Sequence, residues 1–164
     1  MRTLTILGMF LLSASAVLAG ETTSLTNALN FFIVSDTPVT GGRYIDTPEF
    51  PKLGHISRAP NMVVTKLSSV TTDSSTFIER YQGKEKVSVE TVVEITMEPA
   101  DAKKLTKLTR ENVGQRVLMM LGKRPLMAPY IRQPIDTPTL SIRPGSKGDP
   151  AVLERELKVL VKHE

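Results

Sequence analysis

The chain has 164 residues, with 40% hydrophobic and 23% charged side chains. That is enough apolar content for one domain and too much for a largely disordered chain. The absence of cysteine excludes disulfides, thiolate metal sites, cysteine nucleophiles and a lipid-bearing N-terminal thiol together. The net charge of +4 fits an acidic or anionic-lipid partner but is too small to argue for nucleic acid, which needs charge clustered on one face.

In chain order, Met1-Arg2 forms a short positive start, and an apolar run follows from Thr3 to Leu12. The small residues Ser13, Ala14, Ser15, Ala16, Val17 and Ala19 come next, with Leu18 among them. This is the pattern of a secretory signal peptide over residues 1–19, cleaved after Ala19. The apolar run is short for a membrane span, which needs about 20 residues. The expected mature chain begins near Gly20, has no transmembrane segment and works in the periplasm. Residues 20–29 read as a polar leader, and residues 30–164 as a single domain.

Within that domain, the β-branched and aromatic run at 30–35 predicts a strand, stopped by Asp36-Thr37-Pro38. Residues 36–61 hold Gly41-Gly42 and four prolines and read as a long loop. Residues 62–71 predict a strand, and the polar stretch 72–86 a turn region. Residues 87–97 give the clearest strand, with Val87, Val89, Thr91, Val93, Ile95 and Met97 alternating.

Residues 99–113 predict a helix. Pro99 suits its first turn, Glu98 and Asp101 lie near its positive end, and Gly114 suits its stop. Ala102, Leu105, Leu108 and Val113 share its apolar side. Lys103, Lys107 and Arg110, with Lys104, form a basic stripe that reads as a solvated face. Thr109 and Asn112 suit backbone hydrogen bonds at the helix end. Strands at 116–121, 125–131 and 140–143 follow, then a helix capped by Asp149 that buries Leu153, Leu157, Leu160 and Val161. Strands and helices mix without strict alternation, which predicts an α+β fold with a mostly antiparallel sheet and two helices. Asp-Thr-Pro recurs at 36, 46 and 136, and local turn chemistry accounts for each occurrence.

Two motifs stand out. Leu108-Thr109-x-Glu111-Asn112-x-Gly114 is followed by Leu121-Gly122-Lys123, and then by Ala128-Pro129-x-Ile131-x-x-Pro134-Ile135. Together they resemble the head part of the first periplasmic domain of SecD, a membrane subunit of the bacterial protein-export machinery. The resemblance is strongest over residues 93–135. It implies an α+β head that contacts polypeptides leaving the translocation channel. The chain departs from the family in two ways: Asp136-Thr137-Pro138 stands where a glycine-rich turn is usual, and the family's membrane spans are not in this sequence. Proton coupling is therefore not expected of this chain.

No arrangement of nucleophile and base stands out, and the two histidines, His55 and His163, are far apart in sequence. The expectation is a non-catalytic protein with no cofactor and no metal. Val117-Leu118-Met119-Met120-Leu121 is apolar at every position, so either a second layer covers this strand or a face is left for a partner. A buried central strand, covered by the N-terminal half, is the preferred reading. The candidate binding residues are Met120, Met127 and Tyr130, placed near the hairpin at Gly122. Pliable apolar side chains there would suit an extended polypeptide or an envelope partner. The alternative function is a structural or regulatory subunit of an envelope complex with no substrate of its own.

Overall fold

A computed structural model describes residues 28–81, 84–144 and 148–161. The expected signal peptide, most of the expected leader and His163 lie outside the described residues. The elements run β1 (Leu29–Val34), β2 (Arg43–Ile45), β3 (Gly54–Ile56), β4 (Met62–Val64), β5 (Leu67–Tyr81) and β6 (Lys84–Met97). They continue with α1 (Pro99–Glu111), β7 (Arg116–Leu121), β8 (Arg124–Met127), β9 (Thr139–Ile142) and α2 (Pro150–Lys158). The fold is α+β, and its strands pair antiparallel throughout.

The central sheet has the order β4-β1-β7-β8. β1 and β7 lie inside it, so both of their edges are paired, and both of their faces are buried as well. Alternation then divides their side chains between two cores. Leu29 and Phe31 of β1 join Val117 and Met119 of β7 in the main core. Phe32 and Val34 join Leu118 and Met120 in a second core on the other face. The apolar run of β7 is thus a central strand with a layer on each side, as the sequence led us to expect.

The second layer comes from residues 36–61, and here the loop reading is corrected. The segment contains β2 and β3, paired from Arg43↔Ile56 to Ile45↔Gly54. It contributes Leu53 and Ile56, with Ile45 and Phe50 beside them, to the second core. Ser35 and His55 exchange backbone hydrogen bonds of 2.8 Å, which fasten β3 to the end of β1. Gly54 permits this approach. A Cβ built there would stand 2.8 Å from the Ser35 carbonyl oxygen, and its φ of 132° lies outside the range of ordinary residues. These strands are three residues long and separated by prolines, so no hydrophobic period had room to develop.

The reading of residues 62–86 is also corrected. The expected strand at 62–71 is two strands in different sheets, and the expected turn region holds the continuation of β5 to Tyr81 and, from Lys84, the start of β6. β5 and β6 pair from Leu67↔Met97 to Tyr81↔Lys84. At roughly 3.3 Å per residue, a ribbon of this length extends on the order of 45 Å. β9 joins β6 only from Val93↔Ile142 to Thr96↔Thr139, at the base of the ribbon. Val70, Val93 and Ile95 turn one face of that base into the main core, where Leu153, Leu157 and Leu160 of the α2 segment meet them. Beyond the base the ribbon projects as an arm.

α1 begins at Pro99 as expected and ends at Glu111, with Asn112 as its C-cap. Gly114 follows at φ 89°, the left-handed geometry that glycine adopts at no steric cost. Leu105 is buried and Leu108 lies partly buried against the main core. Val113 is half exposed and lies past the helix, which corrects its place on the apolar face. Asp149 caps α2 by accepting a 2.9 Å hydrogen bond from the Ala151 N–H. Glu154 of α2 accepts hydrogen bonds from Lys158 (2.8 Å) and from Thr72 of β5 (2.6 Å). Those two donors hold its carboxyl below the usual carboxylate pKa, the lysine being the larger cause. β1 begins at Leu29, and both Ala28 and Leu29 are buried. The last residues read as leader therefore belong to the core.

Candidate functional site

The two motifs become one structural device. Thr109 Oγ1 donates to the Leu105 carbonyl (2.8 Å) and accepts from the Ile135 N–H (2.9 Å). Asn112 Nδ2 donates to the Leu108 carbonyl at 2.7 Å. The Gly114 N–H donates to the Ile131 carbonyl, and the Ile131 N–H donates to the Gln115 carbonyl, each at 2.8 Å. The helix end thus holds the returning segment 128–135 against the start of β7. These residues fasten the helix end to the return segment.

The three candidate residues are not brought together. Met120 is only 4% exposed. It sits in the second core, beneath the layer of β2 and β3, and Arg43 Nη2 lies 3.8 Å from its sulfur. Met127 pairs with Met119 and lies partly buried against the main core, on the opposite face of the sheet. Tyr130 bridges to Arg116, at the far end of β7 from Gly122. The expected surface at the Gly122 hairpin is corrected accordingly. Closeness in sequence said nothing about face, and the alternation of β7 separates Met119 from Met120.

Of the three, Tyr130 is the exposed one, at 58%. The Arg116 guanidinium lies 4.4 Å from its ring centroid, a cation–π contact that steadies both side chains. This pair stands at the rim of an open cleft of about 310 Å³. Three chain segments meet there: Ser35 and Asp36 after β1, Lys52 and Leu53 before β3, and Gly114 to Arg116 before β7. Lys52 holds a left-handed φ of 50°, and its N–H donates to Asp46 Oδ1 at 3.0 Å. The cleft therefore offers two cations, one carboxylate, an aromatic ring and main-chain polar groups from strand ends. It has the features of a polar recognition surface. The sequence pointed to Tyr130 and gave no sign of Lys52 or Asp36, which reach the cleft only through the β3–β1 attachment.

Two of the four cations in the basic stripe of α1 pair with acidic residues of their own helix. Lys104 pairs with Asp101 at 2.8 Å and Lys107 with Glu111 at 3.9 Å. Lys104, Lys107 and Leu108 line a second groove of about 480 Å³ against Pro60 to Val63. Among the described residues no group of three or more His, Asp or Glu side chains is placed to hold a metal ion. His55 lies in β3 with its ring 4.9 Å from that of Tyr44. No helix among the described residues is long and apolar enough to cross a membrane.

No protein-family pattern matches the chain, and no curated protein matches it by sequence. Solved structures do. A crystal structure of SecDF in a super-membrane-facing form matches 84% of this chain at 21% identity, with a TM-score of 0.52. A structure described as that of SecDF, a membrane component that enhances protein export, matches 84% at 20% identity, with a TM-score of 0.50. The fold is SecD-like. This chain spans 19% of the first of those chains and 62% of the second. At such identities the likeness concerns the fold.

Proposed function

We propose that this chain is a non-catalytic protein of the cell envelope that binds extended polypeptide segments, in a role related to protein export. Its N-terminal segment directs it out of the cytoplasm and is removed after Ala19. The observation that carries the reading is the exposed Tyr130, stacked with a half-buried Arg116, at the rim of an open polar cleft on a SecD-like fold. An aromatic ring and a guanidinium accept many peptide side chains and carbonyls without a fixed code. Strand-end backbone groups recognise a main chain irrespective of its sequence. Ordering a flexible peptide consumes much of the contact energy, so affinities are on the order of micromolar or poorer.

The test is an NMR titration of the chain with unfolded polypeptides. Amide shifts are expected at residues 34–36, 52–53, 114–116 and 130, and Tyr130→Ala together with Arg116→Ala should weaken binding roughly tenfold while leaving the fold intact. Shifts confined to other surfaces, or none with any polypeptide, would refute the assignment of the cleft.

A further inference from the structure

The arm formed by β5 and β6 has a face and an edge that nothing among the described residues covers. Val93 and Ile95 of β6 face the main core. The same alternation carries Val89 and Val87 outward along that face, opposite Thr76 and Ile78 of β5. Past the reach of α2 these side chains are open, with Val87 62%, Val89 70% and Ile78 59% exposed. The edge is open too. β9 occupies the outer side of β6 only at Val93 to Thr96, and no described strand pairs with that side from Lys84 to Val92. A two-stranded ribbon exposed in this way is marginal on its own, and an open strand edge is a template for another strand.

The order of residues along this edge says what that strand is. Ser88 is the midpoint of the open stretch between Lys84 and Val92. If a second β6 is laid antiparallel about Ser88, Val87 falls opposite Val89 of the other copy, and Lys86 falls opposite Glu90. The two-fold axis stands perpendicular to the sheet, so each face is preserved. All four valines then lie together on the apolar face, continuous with Ile78, while two Lys–Glu pairs form on the other. An edge carrying one sign of charge would repel a copy of itself. Lys86 and Glu90 carry opposite signs at equal distances from the centre of this edge, which is self-complementarity of the kind a two-fold interface requires.

We infer that two copies of this chain associate through the outer edges of β6, from Lys86 to Glu90, in a continuous four-stranded sheet β5-β6-β6-β5. The partner is a second copy because the register that sets Lys86 against Glu90 is also the one centred on the open edge. Glu90 also meets Arg143 at 2.7 Å within its own chain, so the test must separate the two roles of that carboxylate. The inference does not rest on polypeptide binding at the Tyr130 cleft, which lies on the central sheet.

The experiment is sedimentation equilibrium of the purified chain as it accumulates in cells, with the Lys86→Glu and Glu90→Lys variants. The wild-type chain should dimerise with a dissociation constant on the order of micromolar or poorer, as small interfaces do. Each variant alone places like charges opposite one another and should weaken the dimer roughly tenfold. An equimolar mixture of the two variants restores both opposite-charge pairs and should recover the dimer. Circular dichroism melting of each variant establishes that it is folded, and recovery in the mixture cannot arise from a misfolded chain. A monomer at all concentrations up to the millimolar range would overturn the inference. So would dimers that either variant leaves unchanged, or arm amides that respond to an unrelated extended polypeptide but never to protein concentration.

Discussion

Thr109 is fully buried, and its hydroxyl both donates and accepts. Donation to the Leu105 carbonyl is the ordinary back-bond of a helical threonine, and acceptance from the Ile135 N–H is the tie that holds the return segment. Replacing Thr109 with Val conserves shape and removes both, leaving the Ile135 N–H without this acceptor. That should cost about 1–3 kcal/mol, the usual penalty for stranding a buried polar group. Thr109→Ser keeps the hydroxyl and loses one methyl, a loss of about 0.8 kcal/mol. Urea titration of both variants checks the order, and a valine variant as stable as the serine one would refute the clamp. The sequence indicated that Thr109 bonds to the backbone. Its second partner lies 26 positions away and became visible only when the return segment was placed.

At the scale of elements, legibility followed the burial of one face. α1 was readable because Leu105 and Leu108 recur on a side that faces the core. β6 was readable from the alternation of Val87 to Met97, of which only Val93, Ile95 and Met97 turn into the main core. β5 was not, since residues 71–76 are threonine, serine and aspartate, and these read as a turn wherever neither face is buried deeply enough to demand apolar side chains. The β-branched threonines were the one available sign. Helix α1 offers a direct check on facing. Leu105 is buried, and Leu105→Ala should cost about 2–5 kcal/mol. Leu108, only partly buried, should cost less. Lys103→Ala should change stability by under about 0.5 kcal/mol, as at ordinary surface positions. Comparable losses at Leu105 and Lys103 in chemical denaturation would mean that the helix is rotated relative to its assigned face.

For the whole molecule, the decisive element is β1, which pairs with β4 on one side and β7 on the other and serves both cores. The proposed cleavage after Ala19 would leave this strand and Ala28 before it untouched, so export processing and folding would not compete for the same residues. A chain beginning at Gly20 should therefore melt in one cooperative transition. A chain beginning at Ile33 lacks Leu29, Phe31 and Phe32, all buried. At about 1.5–3 kcal/mol for each large side chain removed from the core, the loss is roughly 5–9 kcal/mol before the broken strand pairing is counted. Domains of this size hold about 5–15 kcal/mol in total. The shorter chain should show no cooperative melt by circular dichroism. N-terminal sequencing of protein from the envelope fraction should give Gly20 as the first residue. An intact Met1 on protein confined to the cytoplasm would remove the export reading, and a cooperative melt of the Ile33 chain would remove β1 from the centre of the fold.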